Sequence, residues 1–153
     1  EKLYRRSIYT FWKRTLPHPT MTLFDAPNRD LCEVRRQKTN TPLQALALQN
    51  DVQVLEAARV LAQNNLQSEE QDHERLESLF RTVLVRNPDE DEKQILWDYY
   101  QQNLEYFQKE PENASLLVSA GEFDKTSGNE IETAALMMVA KVLYNLDETI
   151  TKE

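Results

Sequence analysis

Along the first fifteen residues Tyr4, Ile8, Phe11 and Trp12 recur at i, i+4, i+7 and i+8, while Arg5, Arg6, Lys13 and Arg14 fall mainly on the other side. That spacing predicts an amphipathic helix over residues 1–15, ending before Pro17. From residue 16 to residue 40 the periodicity is lost, and Pro17, Pro19, Pro27 and Asn28 cut the stretch into pieces too short for a long element. Irregular segments of this length in compact domains tend to be functional or to wrap the body as an arm, so this one is the most informative region of the chain.

Thr41-Pro42-Leu43-Gln44 then supplies an N-cap threonine, a proline at the first helical position and a glutamine at the third, which is a capping box. The helix it opens is predicted to run to about Leu66, with Leu43, Leu46, Ala47, Val54, Ala58, Leu61 and Ala62 toward the core. Ser68 with Gln71 repeats the capping signature, and Leu76, Leu79, Phe80, Val83 and Leu84 predict a third helix that stops near Arg86. Asn87-Pro88-Asp89 interrupts the chain and Asp89 with Glu92 restarts it. Ile95, Leu96, Tyr99, Tyr100, Leu104 and Phe107 carry the fourth helix to about Gln108. A polar connection over 109–113, a short helix over 114–120 closed by Gly121, and a loop over 122–129 follow. Ile131, Ala134, Ala135, Met138, Val139, Val142 and Leu143 mark a last helix, in which Met137 and Met138 read as packing. The fold class is all-α: an irregular helical bundle of about five to six helices with a long proline-punctuated arm, read as one domain over residues 1–153.

Composition narrows the chemistry. Gly121 and Gly128 are the only glycines, which excludes phosphate-cradling loops and dinucleotide-binding turns, both of which need glycine where backbone approaches a ligand. The net charge of −8 is unevenly spread: residues 1–41 hold nine Lys and Arg against four acids, and residues 42–153 hold nine against twenty-two. Such an acidic chain argues against nucleic acid as a partner, and the favoured reading sets the basic segment against acidic helices of its own domain. Cys32 is the single cysteine, so no disulfide, thiolate cluster or paired haem attachment site exists in this chain, and no cofactor is expected in it. The longest apolar runs, such as 134–140, fall well short of the roughly 20 residues of a membrane span. A start at Glu1, inside a helical pattern and without methionine, reads as a processed product or an excised piece of a longer polypeptide, the excised piece being favoured.

Catalytic and metal motifs fail one by one. His18 and His73 lie far apart, no HExxH pair occurs, and no serine sits in a glycine elbow. A site built from His18, Asp25 and Asp30 ranks below a plain loop histidine, and Cys32 reads as a lone buried thiol before it reads as a partner of His18. The densest constellation is Asp25, Asp30, Glu33, Arg35 and Arg36, with Asn40 and Thr41 just before the capped helix. Two readings stand. In the favoured one the carboxylates neutralise the arginines and pin the arm in an ion-pair lattice; in the other, Arg35 and Arg36 bind an anion beside a helix N-terminus. Asn113-Ala114-Ser115 matches the N-glycosylation triplet, a pattern that also arises by chance.

The run from Arg5 to Thr15, then Phe24-Asp25-Ala26-Pro27, Val34-Arg35-Arg36, Thr39-Asn40-Thr41-Pro42-Leu43-Gln44-Ala45-Leu46 and Asn50-Asp51, closely resembles a planctomycete-specific domain of unknown function. That domain is found near the C-terminus of large proteins that often also carry cytochrome-c-like domains. The resemblance continues through Glu56-Ala57-Ala58-Arg59, fits more loosely at Arg86-Asn87-Pro88 with Glu92, and resumes over Asn145-Leu146-Asp147-Glu148-Thr149-Ile150-Thr151. Relatives often place tryptophan where Leu136 stands. The resemblance implies an exported or envelope-associated protein and assigns no activity. The expected function is therefore a non-catalytic interaction or scaffold module that packs against other domains of its parent chain, using the apolar faces of its first and last helices. The alternative is an accessory part of an enzyme that binds a sulfated or uronic-acid glycan through Arg35 and Arg36.

Overall fold

The computed structural model describes residues 7–13, 15–27, 32, 34–35, 38–67, 71–124 and 128–151. Among them the chain is helical, with eight α-helices in order: α1 (Pro19–Leu23), α2 (Pro42–Asn50), α3 (Val52–Leu66), α4 (Asp72–Leu84), α5 (Glu90–Lys109), α6 (Pro111–Val118), α7 (Glu130–Tyr144) and α8 (Asp147–Ile150). The helical class holds, and two short helices, α1 and α8, add to those expected. Two compact units divide the chain, residues 1–44 and 45–153.

In the larger unit α7 is the hub. It packs most extensively on α3 and α5, then on α6 and α4, and α8 closes against α4 and α7. Its composition explains the position: Ala134, Ala135 and Ala140 are fully buried and let neighbouring backbones approach, while Leu136, Met137, Val139 and Leu143 fill the space between them. Ala58 and Ala62 play the same part on α3, and Leu79, Phe80, Tyr100 and Phe107 complete the core from α4 and α5. Burying each large apolar side chain contributes roughly 1.5–3 kcal/mol. The two methionines of α7 are packing residues, since Met137 is buried and Met138 packs on the core. The apolar face expected on the last helix is used mainly inside its own unit, with Val142 left exposed.

Capping chemistry set the boundaries that the sequence announced. Asp89 accepts from Glu92 N at 2.8 Å while Glu92 accepts from Asp89 N at 2.9 Å, the reciprocal box that starts α5. Asn129 Oδ1 accepts from Ile131 N at 3.1 Å and opens α7. At α4 the capping residue is Gln71, whose N–H donates to Glu74 at 3.3 Å; Ser68 lies outside the described residues. α6 begins at Pro111, earlier than expected, because proline suits the first helical position.

Two corrections concern the N-terminal third. Residues 7–9 form one 3-10 turn, and the chain leaves helical geometry at Thr10, with Lys13 bridging to Leu16. Ile8-Tyr9-Thr10-Phe11-Trp12 are five consecutive β-branched or aromatic residues, each a weak helix former, and the described part of this segment buries none of them. Helical spacing without a surface to cover was not enough. The single helix expected over 41–66 is two, parted at Asp51, whose backbone is extended (φ −65°, ψ 128°) and whose carboxylate caps α3 by accepting from Gln53 N at 2.8 Å. Leu43 and Leu46, expected in the core, are exposed on α2.

Candidate functional site

Three polar assemblies stand out. The first lies in the smaller unit and gathers residues of the candidate cluster. α1 ends in a Schellman turn: Ala26 N donates to Met21 O at 2.8 Å and Asp25 N to Thr22 O at 3.4 Å, with Asp25 in the left-handed region at φ 56°. Glycine usually fills that position, and aspartate is among the few residues that tolerate it. The turn aims the Asp25 carboxylate at Thr39, where Oδ2 accepts from Thr39 N at 2.8 Å and from Thr39 Oγ1 at 2.7 Å. Thr39 Oγ1 in turn accepts from Gln44 Nε2 at 3.1 Å, and the same amide donates to Leu23 O at 2.8 Å. Gln44 Oε1 accepts from Thr41 N at 2.9 Å, and Gln44 N donates back to Thr41 Oγ1 at 3.3 Å. The capping box read from the sequence is therefore present, but its glutamine does more: it is 1% exposed and joins α1, the 39–41 segment and α2.

Of the other cluster members, Arg35 and Asn40 are exposed, Thr41 is half-buried, and Asp30, Glu33 and Arg36 lie outside the described residues. The structure thus brings together Asp25 and Thr41 through Thr39 and Gln44. Cys32 is exposed, contrary to the expectation of a buried thiol; among the described residues of 1–44 no apolar side chain is buried to form a core around it. His18 is an exposed residue at the head of α1. Among the described residues no three His, Cys, Asp or Glu side chains form a metal-ligand set.

The second assembly holds the 121–124 loop. Glu56 and Arg59 sit one turn apart on α3 and take the loop backbone from both sides. The Glu56 carboxylate accepts from Glu122 N at 2.7 Å and Phe123 N at 3.3 Å. The fully buried Arg59 donates through Nη2 to Phe123 O at 2.8 Å and through Nη1 to Asp124 O at 3.4 Å. Gly121 enters the loop at φ 88°, and a Cβ there would collide with the Glu56 carboxylate. Glycine is required both for the dihedral and for the close approach.

The third assembly is built on Arg86, which follows the left-handed Val85 (φ 62°) that ends α4. Its guanidinium forks onto Glu92 (Nη2 to Oε1 2.6 Å, Nη1 to Oε2 2.8 Å) and onto Glu148 of α8 (Nε to Oε1 2.8 Å, Nη2 to Oε2 2.9 Å). A bond from Nη1 to Asn87 O at 3.3 Å uses the fifth N–H, and the Phe80 ring lies 4.8 Å below the guanidinium carbon. The paired guanidinium lowers the Glu92 carboxyl to about 2 and holds the Glu148 carboxyl below the ordinary carboxylate range; the two carboxylates in turn raise Arg86. The sequence signal was present as separate strings, Arg86-Asn87-Pro88 with Glu92 and Asn145 to Thr151, but nothing in them showed that they meet.

The described bonds of each assembly run to backbone or side chains of the chain itself. None presents a nucleophile beside a base. What the fold and these contacts define is a helical domain fastened by polar clamps and preceded by an arm with little core. The chain belongs to the family described as PSD1, protein of unknown function (DUF1553), which it matches over residues 1–100. The match takes in Asp25, Gln44, Glu56, Arg59, Arg86 and Glu92 and ends within α5, so Gly121, Glu148 and the resemblance over 145–151 lie beyond it. Neither curated proteins nor solved structures yield a match.

Proposed function

We propose that this chain is a non-catalytic interaction module whose N-terminal arm docks onto other domains of a larger, exported protein. A planctomycete setting and the company of cytochrome-c-like domains belong to the same proposal. One observation carries it. Among the described residues of 1–44 no apolar side chain is buried, yet Ile8 is 76% and Phe11 84% exposed, with Tyr9, Leu16 and Val34 also in water. A segment that turns such large apolar side chains to water, and whose one described buried side chain is a glutamine, fits a surface that something else covers. No helix among the described residues is long and apolar enough to cross a membrane. The test is calorimetric titration of this chain with the domains proposed to accompany it. Binding that Ile8→Asp and Phe11→Asp abolish supports the reading; a chain that stays monomeric and binds none of them overturns it.

A second reading takes an anionic glycan at Arg35 and Arg36, favoured by the exposure of Arg35. It requires salt-dependent binding of sulfated or uronic-acid oligosaccharides that falls in an Arg35→Ala, Arg36→Ala variant. Binding unaffected by the substitutions removes it.

A further inference from the structure

From Leu43 to Leu66 the chain contains neither glycine nor proline, and its helix-forming residues would support one continuous helix. The break is confined to one residue. Asp51 N still donates to Ala47 O at 2.8 Å and Leu55 N to Asp51 O at 3.0 Å, so helical bonding runs up to Asp51 from one side and resumes from it on the other. What the bend gives up around Val52 and Gln53 is replaced by two side chains: Asp51 Oδ1 takes Gln53 N at 2.8 Å, and Asn50 Nδ2 donates to Leu46 O at 2.9 Å. Among the described residues α2 makes no extensive contact with another helix, its Leu43 and Leu46 are exposed, and its one buried side chain, Gln44, bonds back to Leu23 and Thr39 rather than forward to α3.

We infer that Asp51 is a hinge: its capping carboxylate holds α2 bent away from α3, and releasing that cap lets the two helices join into one.

Both ends of the test use the whole chain in a Cys32→Ser background, spin-labelled at Leu46→Cys and Asn64→Cys. These positions are 18 residues apart and span about 27 Å in a continuous helix, less across a bend. Asp51→Ala is expected to move the distance distribution to the continuous-helix value and to slow amide exchange at Val52 and Val54 about tenfold, whereas Asp51→Asn, which still caps, keeps the short distance. If Asp51→Ala changes neither distance nor exchange, the hinge is wrong.

Discussion

The two units of this chain are stabilised by opposite means. Residues 45–153 bury a continuous apolar core around α7 and use polar contacts at its edges, where Glu56, Arg59 and Arg86 fasten a loop and a terminal helix. In residues 1–44 the one described buried side chain is a glutamine, and order comes from a hydrogen-bond relay through Asp25, Thr39, Gln44 and Thr41. Such a relay keeps a shape without supplying the non-directional driving force of a core, because each bond replaces one to water and nets only about 1 kcal/mol. A core can tolerate the loss of one contact; a relay of single bonds loses its connection at any link.

The sharpest way to break the comparison is to open the core. Phe80→Ala removes a fully buried ring that also lies under Arg86, and it is expected to cost the larger unit about 3–5 kcal/mol, read as a lower midpoint in urea unfolding. Amide exchange over residues 38–44 should not change in the same variant. Next comes Gly121→Ala, which forces a left-handed backbone on alanine and pushes the Glu56 carboxylate off its two N–H groups; about 3 kcal/mol is expected from strain and lost bonds together. Gln44→Ala is the counterpart in the smaller unit. It leaves Leu23 O and Thr39 without their shared donor and is expected to cost about 1–3 kcal/mol locally, seen as faster exchange at Thr39 and Thr41 while the unfolding midpoint of the larger unit stays put.

What the sequence revealed, and what it hid, follows the same division. The limits of α4, α5 and α7 were legible because apolar spacing and caps agree there: Leu76, Leu79 and Phe80 repeat on one face, and Asp89 with Glu92 marks a start. Over residues 7–13 the expected first helix was misread because Ile8, Phe11 and Trp12 carry helical spacing on residues of low helix propensity; its residues 1–6 and 14 lie outside the described residues. The break at Asp51 was hidden because helix-forming residues without glycine or proline continue on both sides of it, and one aspartate can cap a new helix or sit on an old one's surface with the same neighbours. At the candidate site, Asp25 and Thr41 were visible as part of a dense polar run. Of the residues that join them, Gln44 was visible only as a cap residue and Thr39 only within the string that carries the resemblance, and the meeting of Arg86 with Glu148 depends on contacts 62 positions apart that local patterns do not encode.

The Arg86 clamp offers a finer probe of how the larger unit uses charge. Both carboxylates titrate below their ordinary range in the folded chain, Glu92 at about 2, so their contribution is complete above the unfolded carboxylate value and is lost as pH falls toward about 2. Acidification from pH 5 to pH 2 should therefore release α8 before the core opens, followed through exchange at Thr149 and Thr151. In Arg86→Ala that acid step should vanish, because α8 is already loose at neutral pH. The clamp is exposed and screened by salt, so the unfolding midpoint should move little.

The smallest expected effect is the one that separates the two units most cleanly. Phe11→Asp replaces an aromatic side chain that is 84% exposed, so the folded chain loses almost no buried area and the unfolding midpoint should shift by less than about 0.5 kcal/mol. The same substitution in a core helix would be among the most damaging possible, since it would bury an unpaired charge. A large loss of stability in Phe11→Asp would mean that the arm owes its order to apolar burial after all, and the contrast between a core-built unit and a relay-built one would fall. No change in stability together with loss of calorimetric binding would instead place the use of Phe11 outside this chain, on the surface the arm is proposed to meet.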